Sequence, residues 1–222
     1  MSKVLVTGFG PYGVTPDNPA QFTAEALDGR TIAGATVVSR IVPGAYFESI
    51  AAAQQAIADV DPELVIMLGE FPGRSMITVE RLAQNVNDCG RYGLADTAGK
   101  VLVGEPTDPG GPVAYHATVP VHAMVLAMRK AGVPADVSDA AGTFVCNHLM
   151  YGVLHHIAEK GLPIRAGWIH LPCLPRVAAL DRNLGAPSMS VETAVAGVAA
   201  GIEAALRQSS DITEPVPSRL QI

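Results

Sequence analysis

The feature that most constrains this chain is an alternation of apolar runs of strand length with stretches of helical spacing. "KVLVTG" (3–8), "ATVVSRIVP" (35–43), "ELVIMLG" (63–69) and "IRAGWIHLP" (164–172) are short, rich in Val, Ile and Leu, and predict strands. Between them, "PAQFTAEALDG" (19–29), residues 46–58, "VPVHAMVLAMRKAG" (119–132), "CNHLMYGVLHHIAEKG" (146–161) and "SVETAVAGVAAGIEAALRQ" (190–208) carry helical periodicity. Such alternation predicts a three-layer α/β/α fold, a largely parallel, partly mixed twisted sheet with helices on both faces, in a single domain over 1–208. "SMITVERLAQNVN" (75–87) spaces Ile77, Val79 and Leu82 as an extended segment does, and a short strand is expected near "ADVSD". Residues 88–112 read as loop with a short hairpin, and 209–222, polar and Pro-containing, as a loosely ordered tail. In an open sheet of this kind, working residues gather at the carboxyl ends of the strands.

Charge and cysteine content remove several function classes. A formal charge of −6 offers no basic face for nucleic acid or an anionic membrane, so neither is an expected partner. No apolar stretch reaches the roughly 18 residues of a membrane span. The opening "MSKVLVTGFG" puts a strand where a signal peptide would carry its apolar region. Cys89, Cys146 and Cys173 are odd in number and widely spaced, which fits neither a disulfide framework nor a zinc site. The expectation is a reduced, cytoplasmic protein with no metal and no cofactor.

The first loop needs separate weighing, because Gly8, Gly10 and Gly13 follow a strand with the spacing G-x-G-x-x-G. A dinucleotide site requires the next helix to start inside the glycine run, so that its amides face the pyrophosphate. Here Pro16 and Asn18-Pro19 delay any helix to residue 19. The second strand ends "SRIVPG", without the carboxylate that would hold a ribose. The spacing is therefore read as coincidence.

Nucleophile chemistry has better candidates. Cys146 falls at the expected start of a helix after a glycine-containing turn, where the helix dipole and free amides favour a thiolate; the alternative is a small buried hydrophobe. His170 closes the strand "AGWIH", placed either to serve as a base at the ligand crevice or to be satisfied by backbone partners. Glu80 is a carboxylate in an apolar segment and needs a partner, either the adjacent Arg81 or a histidine. Together the three supply nucleophile, base and orienting acid for acyl transfer. His148 lies on another side of its helix and reads as structural or rim-exposed, while Cys89 and Cys173 read as packing residues.

The same residues carry a family resemblance. "VTGFGPYG" with Asn18-Pro19, "LGEFPGR", "ITVERLAQN", "AGTFVCN", "IHLP" and "PSMSVET" (187–193) resemble the conserved blocks of the pyrrolidone-carboxylate peptidases, also called pyroglutamyl peptidases type I. The likeness runs over about residues 3 to 208. It implies a cysteine peptidase that removes an N-terminal pyroglutamyl residue, with Cys146 as nucleophile, His170 as base and acid, and Glu80 orienting it. It places Phe9, Tyr12 and Phe144 around the lactam ring and Asn18 in support of loop and ligand. It also implies a homo-oligomer, dimer or tetramer, and pyroglutamyl peptides as substrates. Arg91 has only a loop position to suggest a place near the site. The chain departs from the pattern at Glu70, where many members have Gln, at Phe71-Pro72, which replace small residues, and at Tyr12 and Gly10. These departures touch recognition of the lactam or the leaving peptide, and they raise the alternative of a pyroglutamyl-peptide binder with weak or lost turnover.

Overall fold

The computed structural model describes residues 2–13 and 15–218. Its strands are β1 (Lys3–Phe9), β2 (Thr31–Ile32), β3 (Ala35–Val42), β4 (Leu64–Glu70), β5 (Ile77–Glu80), β6 (Leu82–Gln84), β7 (Asn87–Asp88), β8 (Val103–Glu105), β9 (Ala114–His116), β10 (Ala135–Ser138) and β11 (Arg165–Leu171). The helices are α1 (Pro19–Leu27), α2 (Glu48–Val60), α3 (Val121–Lys130), α4 (Val145–Lys160), α5 (Pro175–Ala178) and α6 (Val191–Arg207). Seven strands form one sheet in the order β10-β5-β11-β4-β1-β3-β2. The centre is parallel, whereas β5 runs antiparallel to β11, and β2 antiparallel to β3. This is the mixed, mostly parallel α/β/α architecture that the alternation predicts. The segment 75–87 is extended as expected, broken into β5, β6 and β7, and 88–112 contains β8, paired with β7.

Strand periodicity divides the core into two. Val4, Val6, Ile66, Leu68, Ile77, Val79, Ile169 and Leu171 face α1, α3 and α6. Leu5, Phe9, Met67 and Trp168 face α2 and α4. That side also receives the intervening positions Gly69, Thr78, Glu80 and His170, since side chains alternate along a strand. Ile77 and Val79 therefore anchor β5 in one core and turn Thr78 and Glu80 toward the other.

The glycine loop has a packing explanation. A Cβ on Gly8 would stand 2.5 Å from the Ala20 carbonyl oxygen, so the missing side chain lets α1 lie against the end of β1. Asn18 caps α1 by accepting from the Ala20 amide at 3.0 Å, and its own amide donates to the Gly10 carbonyl at 2.9 Å.

The segment after α6 is more fixed than a loose tail up to residue 218. Pro120 cannot cap α3 with its side chain, and Asp211 does so from the tail, accepting from the His122 and Ala123 amides at 3.0 Å each. The Arg129 guanidinium and Ser218 hydroxyl add bonds to the Pro217 carbonyl and Asp136. The remainder of the expected tail, 219–222, lies outside the described residues. No helix among the described residues is long and apolar enough to cross a membrane.

Candidate active site

Cys146 sits in the first turn of α4, behind the cap residue Phe144, which offers no side-chain hydrogen bond. The first bond of the helix ladder is from the His148 amide to the Phe144 carbonyl, so the amides of residues 145–147 have no partner within the helix. His170 lies near the carboxyl end of β11, opposite Gly69 of β4, and is 1 % exposed. Glu80 ends β5 and is fully buried. The His170 Nδ1 and Glu80 Oε1 are 2.8 Å apart. A carboxylate only accepts, so His170 carries its proton on Nδ1 and presents Nε2 with a free lone pair.

Glu80 has a histidine and an arginine, but the arginine is Arg74, not Arg81. Arg74 Nη1 donates to Oε1 at 2.7 Å and also bonds Thr78, whose hydroxyl reaches Oε1 at 2.9 Å. Arg81 turns outward to Asp139, because the period of two that buries Glu80 exposes its neighbour. Burial acts most strongly on Glu80 and would raise its pKa. The hydrogen bond and charge of His170, then the charge of Arg74, outweigh it and hold the carboxyl below its ordinary range. The Phe71 ring roofs this group, 3.8 Å from the Arg74 guanidinium and edge-on to His170 at 5.3 Å.

The protonation states differ from what the helix dipole alone suggests. Burial, followed by the charges of Glu80 and Glu70, pushes the Cys146 thiol well above its ordinary value, and its own amide and Arg74 offset only part of this. Burial likewise holds His170 below the ordinary histidine range, against the pull of Glu80. Both directions favour thiol over thiolate and neutral imidazole over imidazolium, so desolvation opposes the dipole at this site.

Gly69, which sequence reasoning passed over, joins the three. A Cβ there would stand 2.5 Å from Trp168 Cζ2, 3.0 Å from Cys146 Sγ and 3.2 Å from His170 Cδ2. Thiol and imidazole therefore both stand over the Gly69 backbone, where an added methyl group would run into Trp168 and crowd the other two. Gly69→Ala is expected to cost roughly 1–3 kcal/mol of stability and to lower kcat more than it raises KM. Thermal melts and steady-state kinetics check this, and a wild-type kcat would show that the floor tolerates a methyl group.

Two cavities flank the thiol. The smaller, about 40 Å³, is walled by Phe9, Tyr12, Asn18, Gly44, Glu70 and Phe144, with Cys146 at its edge. The larger, about 460 Å³, passes Cys146 and His170 and continues along Phe71, Tyr92, Gly142 and Thr143. Phe9, Tyr12, Asn18 and Phe144, which the resemblance places at the ligand, and Glu70, which departs from the family pattern, thus line one pocket, with Gly44 and Val145 as additions. Arg91 lines neither; its guanidinium lies 5.0 Å from the Tyr92 ring centroid. Among the described residues no cluster of three His, Cys, Asp or Glu side chains could hold a metal ion.

The sequence profile of the family described as pyroglutamyl peptidase matches residues 2–208. The chain belongs to the pyroglutamyl peptidase family. The pyrrolidone-carboxylate peptidase of Mycobacterium marinum is 88 % identical over 222 residues, the whole of both chains. Among solved structures, the pyroglutamyl peptidase I of Bacillus amyloliquefaciens superposes with a TM-score of 0.90 at 36 % identity, over 96 % of this chain and 100 % of the other. The pyrrolidone carboxyl peptidase of Thermococcus litoralis does so at 0.92 with 34 % identity, over 97 % and 100 %. The likeness to pyroglutamyl peptidases is therefore one of sequence and of fold along nearly the full chain.

His148, two residues beyond the thiol on another side of α4, is structural and wholly buried rather than rim-exposed. Its Nε2 accepts from the Phe47 amide at 2.8 Å, while Nδ1 lies 3.0 Å from the Thr107 hydroxyl. It thereby fixes the loop that carries Gly44 to the cavity. Burial, then the charge of Lys100, lowers its pKa to about 4. The unfolded chain binds this proton near pH 6.5 and the folded chain only near pH 4, so stability is full above the first value and falls as pH drops between them. The loss approaches about 3 kcal/mol once both states are protonated. Urea midpoints for wild type and His148→Gln at pH 7 and pH 4.5 check this, the wild type losing more over that interval.

Proposed function

We propose that this protein is a cysteine hydrolase that releases the N-terminal pyroglutamyl residue from peptides. The observation that carries the reading is that Cys146, which lines a small aromatic-walled cavity, shares the Gly69 backbone and the adjoining groove with a His170 held by the buried Glu80, in a chain of the pyroglutamyl peptidase family. A pyroglutamyl ring is flat and uncharged, which suits aromatic faces and a few polar groups. The ring would sit where the small cavity opens into the groove, between Tyr12, Glu70, Phe144 and Cys146, which line both, and the groove leaves room for the peptide beyond the scissile bond.

In the reaction, His170 Nε2 takes the Cys146 proton as Sγ attacks the pyroglutamyl carbonyl carbon. The negative oxygen that forms is met by the free amides at the start of α4. Collapse breaks the C–N bond, and the imidazolium returns its proton to the departing amine. Water, deprotonated by the same nitrogen, then cleaves the thioester, and the thiol is regenerated. Glu80, held by Arg74 and Thr78, keeps His170 in the tautomer that can do this. A pyroglutamyl-linked chromogenic amide is the direct test. Release of the chromophore that stops on thiol alkylation supports the reading, and no release by the unmodified protein overturns it. The alternative, a binder without turnover, draws no support from the comparisons. Three unpaired cysteines favour work in the reducing cytoplasm, and family resemblance favours a homo-oligomer.

A further inference from the structure

Glu70 is the least satisfied polar group in the site. It ends β4 next to Gly69 and is 6 % exposed, yet neither carboxyl oxygen has a hydrogen-bond partner of normal geometry. It lines both the small cavity and the groove. The groups around it are Tyr12 and Thr15 from the loop after β1, Cys146 from α4, and His170 and Cys173 from β11 and the segment that follows. None brings a standing positive charge, since His170 is held neutral, and no ion pair to Glu70 occurs among the described residues. Burial accordingly pushes its pKa above the ordinary carboxylate range, with the Tyr12 and Thr15 hydroxyls offsetting part of the rise. A charged Glu70 would also oppose the thiolate, adding to burial and to Glu80. Buried oxygens left open toward a ligand cavity are costly unless the ligand completes them.

The chemistry of the ligand edge identifies what would do so. A five-membered lactam is a cis amide, with its N–H and C=O on one edge. A neutral carboxylic acid presents one O–H donor and one carbonyl acceptor on one edge, so the two pair through two hydrogen bonds. An ionised carboxylate offers only acceptors and meets the lactam carbonyl with repulsion. Resting on the pyroglutamyl reading above, we propose that Glu70 is the specificity-determining residue of the small cavity and works as a neutral carboxylic acid, donating its O–H to the lactam carbonyl and accepting the lactam N–H. Its proton stays in place throughout the reaction. An N-terminal proline has the ring but no ring carbonyl and a charged amine, so it cannot complete the pair.

The test compares wild type, Glu70→Gln and Glu70→Ala on a pyroglutamyl chromogenic amide and on its cyclopentanone analogue, which keeps the carbonyl and lacks the N–H. Gln presents a donor and an acceptor without titrating. The ratio of kcat/KM for Glu70→Gln over wild type should therefore climb about tenfold per pH unit once the pH passes the Glu70 titration. Wild type should prefer the lactam over the analogue by about a hundredfold, and Glu70→Ala should lose most of that preference, largely through KM. A structural role would move neither readout. Superimposable pH profiles for wild type and Glu70→Gln, or undiminished preference in Glu70→Ala, would overturn the assignment while leaving the hydrolase reading intact. Failure of wild type to cleave the pyroglutamyl amide would overturn both. The Gln arm holds even if the Ala protein does not fold.

Discussion

Cys146→Ser is expected to lower kcat on a pyroglutamyl amide by on the order of 10⁴-fold or more, with KM and melting temperature close to wild type. The exchange removes little volume at the helix start and leaves the aromatic walls, Asn18 and Glu70 in place, so the ring still binds. What changes is the proton transfer. Burial and the Glu80 carboxylate already push the Cys146 thiol upward, and a serine hydroxyl, intrinsically far less acidic, is beyond the reach of a His170 that burial itself keeps weakly basic. The unpartnered amides at the start of α4 remain, and they account for any residual rate. Chemical modification gives an independent check. Cys89 and Cys173 are 0 % and 4 % exposed, so brief alkylation of the native protein should label one thiol, at Cys146, and abolish turnover. A serine variant within tenfold of wild type, or full activity after labelling, would remove Cys146 from the chemistry.

Much of this arrangement is legible in the sequence because it follows from local patterns. The alternation of apolar runs gives the sheet. The spacing of Ile77 and Val79 gives the face on which Glu80 lies, and Gly142 ahead of Cys146 marks the helix start. What is not legible depends on which strands become neighbours. Arg74 reaches Glu80 because the turn after β4 doubles back over β5, and nothing in "LGEFPGR" distinguishes it from Arg81, which is nearer in sequence. Gly69 reads as a strand terminator until β11 pairs with β4 and brings His170 opposite it. The charge state of the thiol is equally hidden. A helix start is local and favours thiolate, whereas the depth of burial and the proximity of Glu70 and Glu80 exist only in the assembled fold. The segment around Asp211 looks loose because its role, capping α3, is set by a proline about ninety residues earlier.

The second large effect tests the charge of the orienting carboxylate apart from its hydrogen bonds. Arg74, Thr78 and His170 Nδ1 all bond the same Glu80 oxygen, Oε1. Glu80→Gln preserves size and leaves an amide oxygen there, so the buried cluster stays filled, Nδ1 keeps its acceptor and the fold should survive. Glu80→Ala, by contrast, would strand a buried guanidinium at a cost of about 3–5 kcal/mol. What Gln removes is the negative charge that stabilises the imidazolium formed when His170 takes the thiol proton. It also removes a group that raises the His170 pKa, which weakens the base. kcat is expected to fall on the order of 10²- to 10³-fold, with KM little altered because Glu80 lines neither cavity. The loss should shrink as pH rises toward the titration of the thiol, where deprotonation no longer requires His170. A uniform loss at every pH would point to misfolding, and a rate near wild type at neutral pH would mean that the charge of Glu80 does not support the imidazolium.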